Sequence, residues 1–285
     1  MGQFILDHLG RQVNLSTVPK RIISICPAIT ETLFALGLEK EIVGRTKYCI
    51  FPKGMVESIP IVGGTKEVNM ETIRDLQPDL ILAEKEENTK EIVLALEKVA
   101  PVFVSEVQKI DDSYRMIEAL GLLMNREKAA EHLIASCKTS FPNPSCKQKL
   151  NAAYVIWRKP YMVVGGTTYI NDVLDTLGFQ NPFATEESRY PMVTKEELTK
   201  ANLDVLLLAS EPFPFQVKHL AEFQSFLPNT KILLVDGEMF WYGAKMVEAG
   251  LYLERLTKKI EEITSGGSSK QKECRNVKFT KVSKM

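Results

Sequence analysis

Aromatic and charged side chains in this chain gather directly after short apolar runs. Tyr48 lies just beyond IVG (residues 42–44), and Trp157, Arg158 and Tyr161 follow the run that begins at residue 153. Glu211, Phe213 and Phe215 follow DVLLLA (204–209), and Glu238, Phe240, Trp241 and Tyr242 follow KILLV (231–235). Both tryptophans of the protein belong to this set. Rigid rings supply large contact area and arginine forks match carboxylates, so the chemistry these residues suit is recognition of a flat, ring-bearing molecule. Packing at the ends of a core explains any single ring equally well. Arg158, Arg189 and Glu211 say more, because charges beside large apolar residues need partners. An Arg–Glu pair within the chain would meet that need without a ligand.

Catalytic patterns are absent. No GxSxG elbow or HExxH occurs, and VGGT (62–65) and VGGTT (164–168) lack the glycine spacing of a phosphate-binding loop, so tight turns are expected there. His8, His132 and His219 have no ligand-spaced neighbours, which leaves any metal ligands unassigned. Cys49, beside Tyr48, is the one candidate for a soft ligand to a bound chelate. An enzyme working in the same place would draw its general base from Glu211, Glu238 or Asp236.

The whole-chain totals agree with a ligand binder. The 285 residues carry 36 basic and 36 acidic side chains, and hydrophobic residues make up 45%. That balance excludes nucleic acid as a partner, and no run nears the roughly 18 apolar residues of a membrane span. The five cysteines form no CxxC pair, so neither a disulfide framework nor a structural zinc site is expected. MGQFILDHLGRQVNL (residues 1–15) shows no basic stretch followed by an apolar one, so the chain as written is expected in the cytoplasm. The alternative is a periplasmic or lipid-anchored protein whose leader has been removed. A monomer is expected.

The elements that must position these residues alternate. Strands are expected at 21–25, 42–44, 60–62, 79–83 and 102–104, with helices at 30–36, 70–76 and 86–99 between them. Apolar residues at helical spacing then run from 111 to 141 as one helix, with FPNPSCK (141–147) at its end. At 1.5 Å per residue, about 28 residues reach about 42 Å, a length suited to bridging two lobes and limiting their hinge motion. Strands at 153–157, 204–209 and 231–235, with helices at 168–177, 194–201, 217–226 and 243–263, repeat the alternation. The expected fold is therefore α/β, two Rossmann-like lobes with mainly parallel sheets (1–110 and 142–263) joined by one long backbone helix (111–141). A disordered basic tail follows at 264–285.

Within that layout RIISICPAITETLFALGLEKEIVGRTKY (21–48), NMETIRDLQPDLILA (69–83), YINDVLDTLGFQNPF (169–183) and RYPMVTKEEL (189–198) resemble the helical-backbone, or class III, substrate-binding proteins. The likeness runs nearly to residue 263 and is nearest to the cobalamin-binding branch. IWRKPYM (156–162), SEPFPF (210–215) and VDGEMFWYG (235–243) resemble a signal-less, cytosolic subgroup, the helical backbone metal receptors. The resemblance implies no catalysis and no built-in cofactor. It implies a cleft for a metal complex, corrinoid first and iron–siderophore or haem second. The residues assigned to the cleft are Tyr48, Trp157, Arg158, Tyr161, Arg189, Tyr190, Glu211, Phe213, Phe215, Trp241 and Tyr242. The family also uses one glutamate per lobe to dock on the permease of an ABC importer, which would be Glu71 and Glu196 here. Helix-start chemistry after Asn69 and Thr194 accounts for both glutamates and is the preferred reading. A cytosolic chelatase-like enzyme, or a ligand-sensing protein using the same cleft, is the alternative.

Overall fold

The computed structural model describes residues 3–141 and 149–265. An antiparallel hairpin, β1 (Gln3–Leu6) and β2 (Gln12–Leu15), opens the chain. The first lobe then runs β3 (Ile22–Ser24), α1 (Pro27–Ala35), β4 (Ile42–Arg45), α2 (Met70–Asp75), β5 (Leu80–Glu84), α3 (Lys90–Leu96) and β6 (Val102–Ser105). Its sheet is parallel throughout, in the order β4-β3-β5-β6. After α4 (Ile110–Leu123) and α5 (Glu127–Ser140) the second lobe runs β7 (Leu150–Trp157), β8 (Tyr161–Val163), α6 (Tyr169–Thr176), β9 (Phe179–Gln180), β10 (Met192–Val193), α7 (Lys195–Lys200) and β11 (Val205–Ala209). It ends with α8 (Val217–Gln224), β12 (Lys231–Val235), a 3-10 turn at Gly237–Phe240 and α9 (Lys245–Ser265). Here the order is β10-β8-β7-β11-β12 with β9 beside β7. The β7, β11, β12 and β9 pairings are parallel, and the two pairings that involve β8 are antiparallel. The α/β class with two lobes and mainly parallel sheets is as the alternation implies.

Both sheets are covered on both faces, which is why their central strands read as unbroken apolar runs. Side chains alternate between two cores along each strand. Ile22, Leu80 and Leu82 join a central core with Tyr154, Val205, Leu207 and Leu233 of the other lobe. Ile23, Ile81 and Ala83 turn to an outer core of the first lobe, and Ala153, Val155, Leu206 and Leu208 to an outer core of the second. The lobes therefore share one apolar core, to which α4, α5 and α9 contribute Met116, Ile117, Cys137, Met246 and Leu253. Fully burying each such aliphatic side chain stabilises by about 1.5–3 kcal/mol. A buried Lys245 adds a polar tie, reaching Glu31 of α1 at 2.9 Å and Glu248 at 3.0 Å.

The single long helix is corrected. Residues 111–141 form two 14-residue helices, α4 and α5, folded back on each other. Asn125 adopts a left-handed φ of 50° and the Arg126 N–H bonds the Gly121 carbonyl at 2.7 Å, a helix stop that asparagine tolerates. The reversal brings Lys138 over the Tyr114 ring at 5.0 Å and both Ser113 and Cys137 to Gly243. A side chain at Gly121 would come within 2.6 Å of the Ala130 Cβ, so glycine lets the two helices approach closely. The apolar stripe misleads because both helices bury the same kind of face, and the period runs across the turn. Interlobe stiffness consequently rests on the shared core rather than on one rod.

Smaller departures matter for the site. Residues 60–62 make only an isolated bridge, Arg45 with Ile61. The helix expected from 86 starts at Lys90, because the Thr89 side chain caps the Ile92 N–H and releases 86–88 into a loop. The N-terminal residues scanned for a leader are part of the fold, as β1 and β2. Pro142, Pro144, Cys146 and most of the 264–285 tail, with Cys274 and its lysines, lie outside the described residues.

Candidate functional site

In open parallel sheets, ligands sit beyond the carboxyl ends of the strands. There, between the lobes, lies a cavity of about 650 Å³. Its first-lobe wall comes from the turn after β3 (Cys26, Pro27, Ala28), the loop after β4 (Lys47, Tyr48, Ile50) and the loop after β5 (Glu84, Glu86, Glu87). The second lobe contributes Tyr154 and Ile156 of β7, Tyr169 and Ile170 of α6, Tyr190, Glu211 after β11, and Phe240, Trp241 and Tyr242 after β12.

Of the residues assigned to the cleft from sequence, Tyr48, Tyr190, Glu211, Trp241 and Tyr242 line this cavity. Tyr242 stacks edge-on against Tyr169 with centroids 5.7 Å apart, and its hydroxyl meets the Cys26 thiol of the other lobe at 3.4 Å. Trp241 packs edge-on against Phe51 of the first lobe at 6.4 Å and donates its indole N–H to Glu211 Oε1.

Trp157, Arg158, Tyr161, Phe213 and Phe215 do not line it. Ile156 faces the cavity, so its neighbour Trp157 faces away by strand alternation. Trp157 packs on Phe213 at 5.7 Å, and Phe213 on Phe215 at 4.7 Å, while Phe215 meets Phe223 of α8 at 5.9 Å. Arg158 pairs with Glu222 of α8 at 2.7 Å, and the Tyr161 hydroxyl donates to the same carboxylate at 2.6 Å. Tyr161, Phe213 and Phe215 serve the outer core, Arg158 is neutralised beside it, and Trp157 is exposed at its edge. Arg189 is also outside the cavity lining. It reaches across the cleft to Glu86 at 2.6 Å, and the Tyr190 hydroxyl donates to the other oxygen of Glu86. The Arg–Glu pair within the chain is thus realised, as a latch between lobes.

Sequence reasoning passed over the acidic loop after β5, although the rule of inspecting each strand's carboxyl end points there. Glu84 accepts the N–H groups of Glu86 at 2.6 Å and Glu87 at 3.0 Å, which shapes the loop. Burial pushes its carboxyl up to about 7 despite those bonds, with Glu86 and Glu87 adding repulsion. Burial also raises Glu87, with Glu86 repelling it and Lys66 opposing. Across the cavity, burial lifts Glu211 to about 7. The Trp241 indole opposes the shift, and Glu238, Asp236 and Glu87 reinforce it. Of the three acids considered as general bases, Glu211 alone lines the cavity. Asp236 caps the Glu238 N–H at 3.2 Å, and Glu238 stands outside the lining.

Cys49 does not face the cavity. Its thiol sits buried between the Thr30 and Thr46 hydroxyls, both at 3.1 Å, and burial holds its pKa up, so it packs within the first lobe rather than reaching the cavity. Among the described residues no group of three or more His, Cys, Asp or Glu side chains could hold a metal ion. No helix among them is long and apolar enough to cross a membrane. Glu71 and Glu196 are exposed in the first turns of α2 and α7. The caps are made by Asn69 and Thr194, with Glu197 completing the second, so neither Glu71 nor Glu196 lends its carboxylate to a cap.

Residues 22–230 match the family described as periplasmic binding protein. The chain is 27% identical over 215 residues to an uncharacterized ABC transporter substrate-binding lipoprotein of Bacillus subtilis, YvrC, covering 70% of this chain and 67% of that one. It is 27% identical over 194 residues to a vitamin B12-binding protein of Vibrio parahaemolyticus, covering 66% and 70%. A solved structure from Staphylococcus epidermidis, described as a possible iron-binding (periplasmic solute-binding) protein, superimposes with a TM-score of 0.72 at 26% identity, covering 86% of this chain and 99% of that one. A lipoprotein and a periplasmic protein among these relatives overturn the cytoplasmic placement. The stretch behind that placement is the β1–β2 hairpin of the folded lobe, so its composition says nothing about export.

Proposed function

The chain belongs to the periplasmic binding protein family, and on that premise we propose that its interlobe cavity captures a metal chelate, a corrinoid first and an iron complex second, for an ABC importer. The observation that carries this reading is the cavity itself. About 650 Å³ is lined by rings from both lobes, Tyr48 on one side and Tyr154, Tyr169, Trp241 and Tyr242 on the other. That volume falls in the roughly 300–1,000 Å³ range of small-molecule sites. A chelate would bring its own metal, since the described residues offer no ligand cluster. The chain catalyses nothing on this reading, and chemical turnover of a bound tetrapyrrole by the purified protein would overturn that part. The exposed carboxylates of Glu71 and Glu196, one on each lobe, are our candidates for permease contacts.

The test is to titrate the purified chain with cobalamin, haemin and a ferric siderophore while following absorbance and tryptophan fluorescence. Stoichiometric uptake of at least one is expected, with Trp241 quenched. Failure of all three would sink the proposal.

A further inference from the structure

The carboxylates of the cavity differ in what already holds them. Glu84 spends Oε2 on the Glu86 and Glu87 N–H groups and Oε1 on the Val107 N–H at 3.4 Å. Glu86 spends both oxygens on Arg189 and Tyr190. Glu87 has a side-chain bond from Thr65 alone and no second anchor among the described residues, and Glu211 spends only one oxygen. Its Oε1 takes the Trp241 indole N–H, whereas Oε2 takes no hydrogen bond from a described residue and is not among the buried atoms left without a partner. That oxygen therefore opens on the cavity that Glu211 lines.

The side chain is also held in place. A Cβ at Gly237 would lie 2.5 Å from the Glu211 Cγ, so only glycine there leaves room for it, and the indole fixes its other oxygen. Lys47, exposed at the rim with its ammonium 5.2 Å from the centre of the Tyr48 ring, is the one basic residue among the described lining residues.

We infer that Glu211 is a specificity-determining residue, whose open oxygen accepts a hydrogen bond from an N–H donor on the rim of the ligand. This rests on the metal-chelate reading and sharpens it to a class. Chelates edged with amides or cationic groups are selected, and chelates edged with carboxylates, or strongly anionic overall, are rejected. Above pH 7, where Glu211 is ionised, a donor N–H gains a charge-assisted bond to its carboxylate. A ligand carboxylate would instead face Glu211 and Glu87 in a partly dehydrated space, where like charges repel most strongly. A ligand with no donor leaves the acceptor without a partner, the situation in which polar sites discriminate best. Among tetrapyrroles a corrinoid, with its rim of primary amides, fits this wall. Haem with its propionates does not, and neither does a ferric tris-catecholate.

The experiment uses the full chain at a pH well above 7, calorimetry and three probes: cobalamin, a corrinoid whose peripheral amides are replaced by methyl esters, and haemin. Cobalamin should bind at least about tenfold tighter than the ester, the scale of one hydrogen bond to a charged group. Glu211→Met, close in volume but without an acceptor, should narrow that gap by about tenfold. Glu211→Gln, nearly isosteric, should raise the affinity for haemin relative to cobalamin, with a thermal melt of each variant verifying the fold. An unchanged gap in Glu211→Met, or a wild-type preference for haemin, overturns the inference alone. Binding of none of the three probes by the wild type overturns this inference, and failure of a ferric siderophore as well overturns the chelate reading with it.

Discussion

The carboxyl ends of β7 and β11 present Trp157, Arg158, Phe213 and Phe215, while those of β11 and β12 present Glu211, Trp241 and Tyr242. Both sets combine rings with charges, and both follow a buried strand. Yet Phe223 of α8 packs on Phe215 and Glu222 neutralises Arg158, leaving Trp157 on Phe213 at the exposed edge, whereas no described residue fills the space in front of the second. The difference teaches that a position after a strand is not enough to define a site. Strand parity and the next helix decide whether a ring meets protein or ligand.

The largest expected effect separates the two regions by stability. Phe223→Ala removes a fully buried ring from the outer core, at a cost of about 3–5 kcal/mol in urea unfolding, with ligand affinity unchanged. Reduced affinity there would mean that the outer core is coupled to the cavity. Next comes affinity. Trp241→Ala should weaken chelate binding by about tenfold or more, as loss of a central aromatic anchor does, while Trp157→Ala leaves it unchanged. Equal losses from both would erase the distinction. A smaller effect belongs to the Arg158–Glu222 pair. Its side chains are 31% and 22% exposed, so a double-mutant cycle should return only about 0.2–1 kcal/mol of stability.

The finest test is the sign of the pH dependence. Glu84 and Glu211 titrate near 7 when folded, against an ordinary 4.5, so the folded chain holds protons that the unfolded chain releases. Their contribution is fully present below pH 4.5 and is lost as pH rises through about 7. Glu222 behaves oppositely. Burial would raise its carboxyl, but the bonds from Tyr161 and Arg158 outweigh burial and lower it, so its contribution is present above the ordinary value and lost at low pH. Thermal melts of Glu211→Gln should therefore flatten the fall in stability on the alkaline side, while Glu222→Gln flattens it on the acid side. The same slope change from both variants would contradict the two environments described.

Much of the fold was legible because one-dimensional signals carry it. DVLLLA is a buried strand since apolar β-rich runs of that length can hide only in a covered sheet, KILLV is its half-buried edge neighbour, and Asn69 and Thr194 begin helices because their side chains cap them. The α4–α5 reversal was legible only in Asn125, a single residue set against a long apolar period. Within the site, Tyr48, Glu211, Trp241 and Tyr242 were found through their places after strands, and Tyr190 through its motif. Tyr154 and Tyr169 were not, since both lie inside regular elements and look like core.

By itself, then, the sequence determined the α/β alternation, the parallel sheets and the family, all of which follow from local propensity and residue order. Tertiary structure alone decided the core common to both lobes and the latch of Glu86 on Arg189 and Tyr190. It also decided which rings meet across the cleft. The reason is distance along the chain: the partners of the latch lie more than a hundred residues apart, and no local preference of either segment encodes that they should touch.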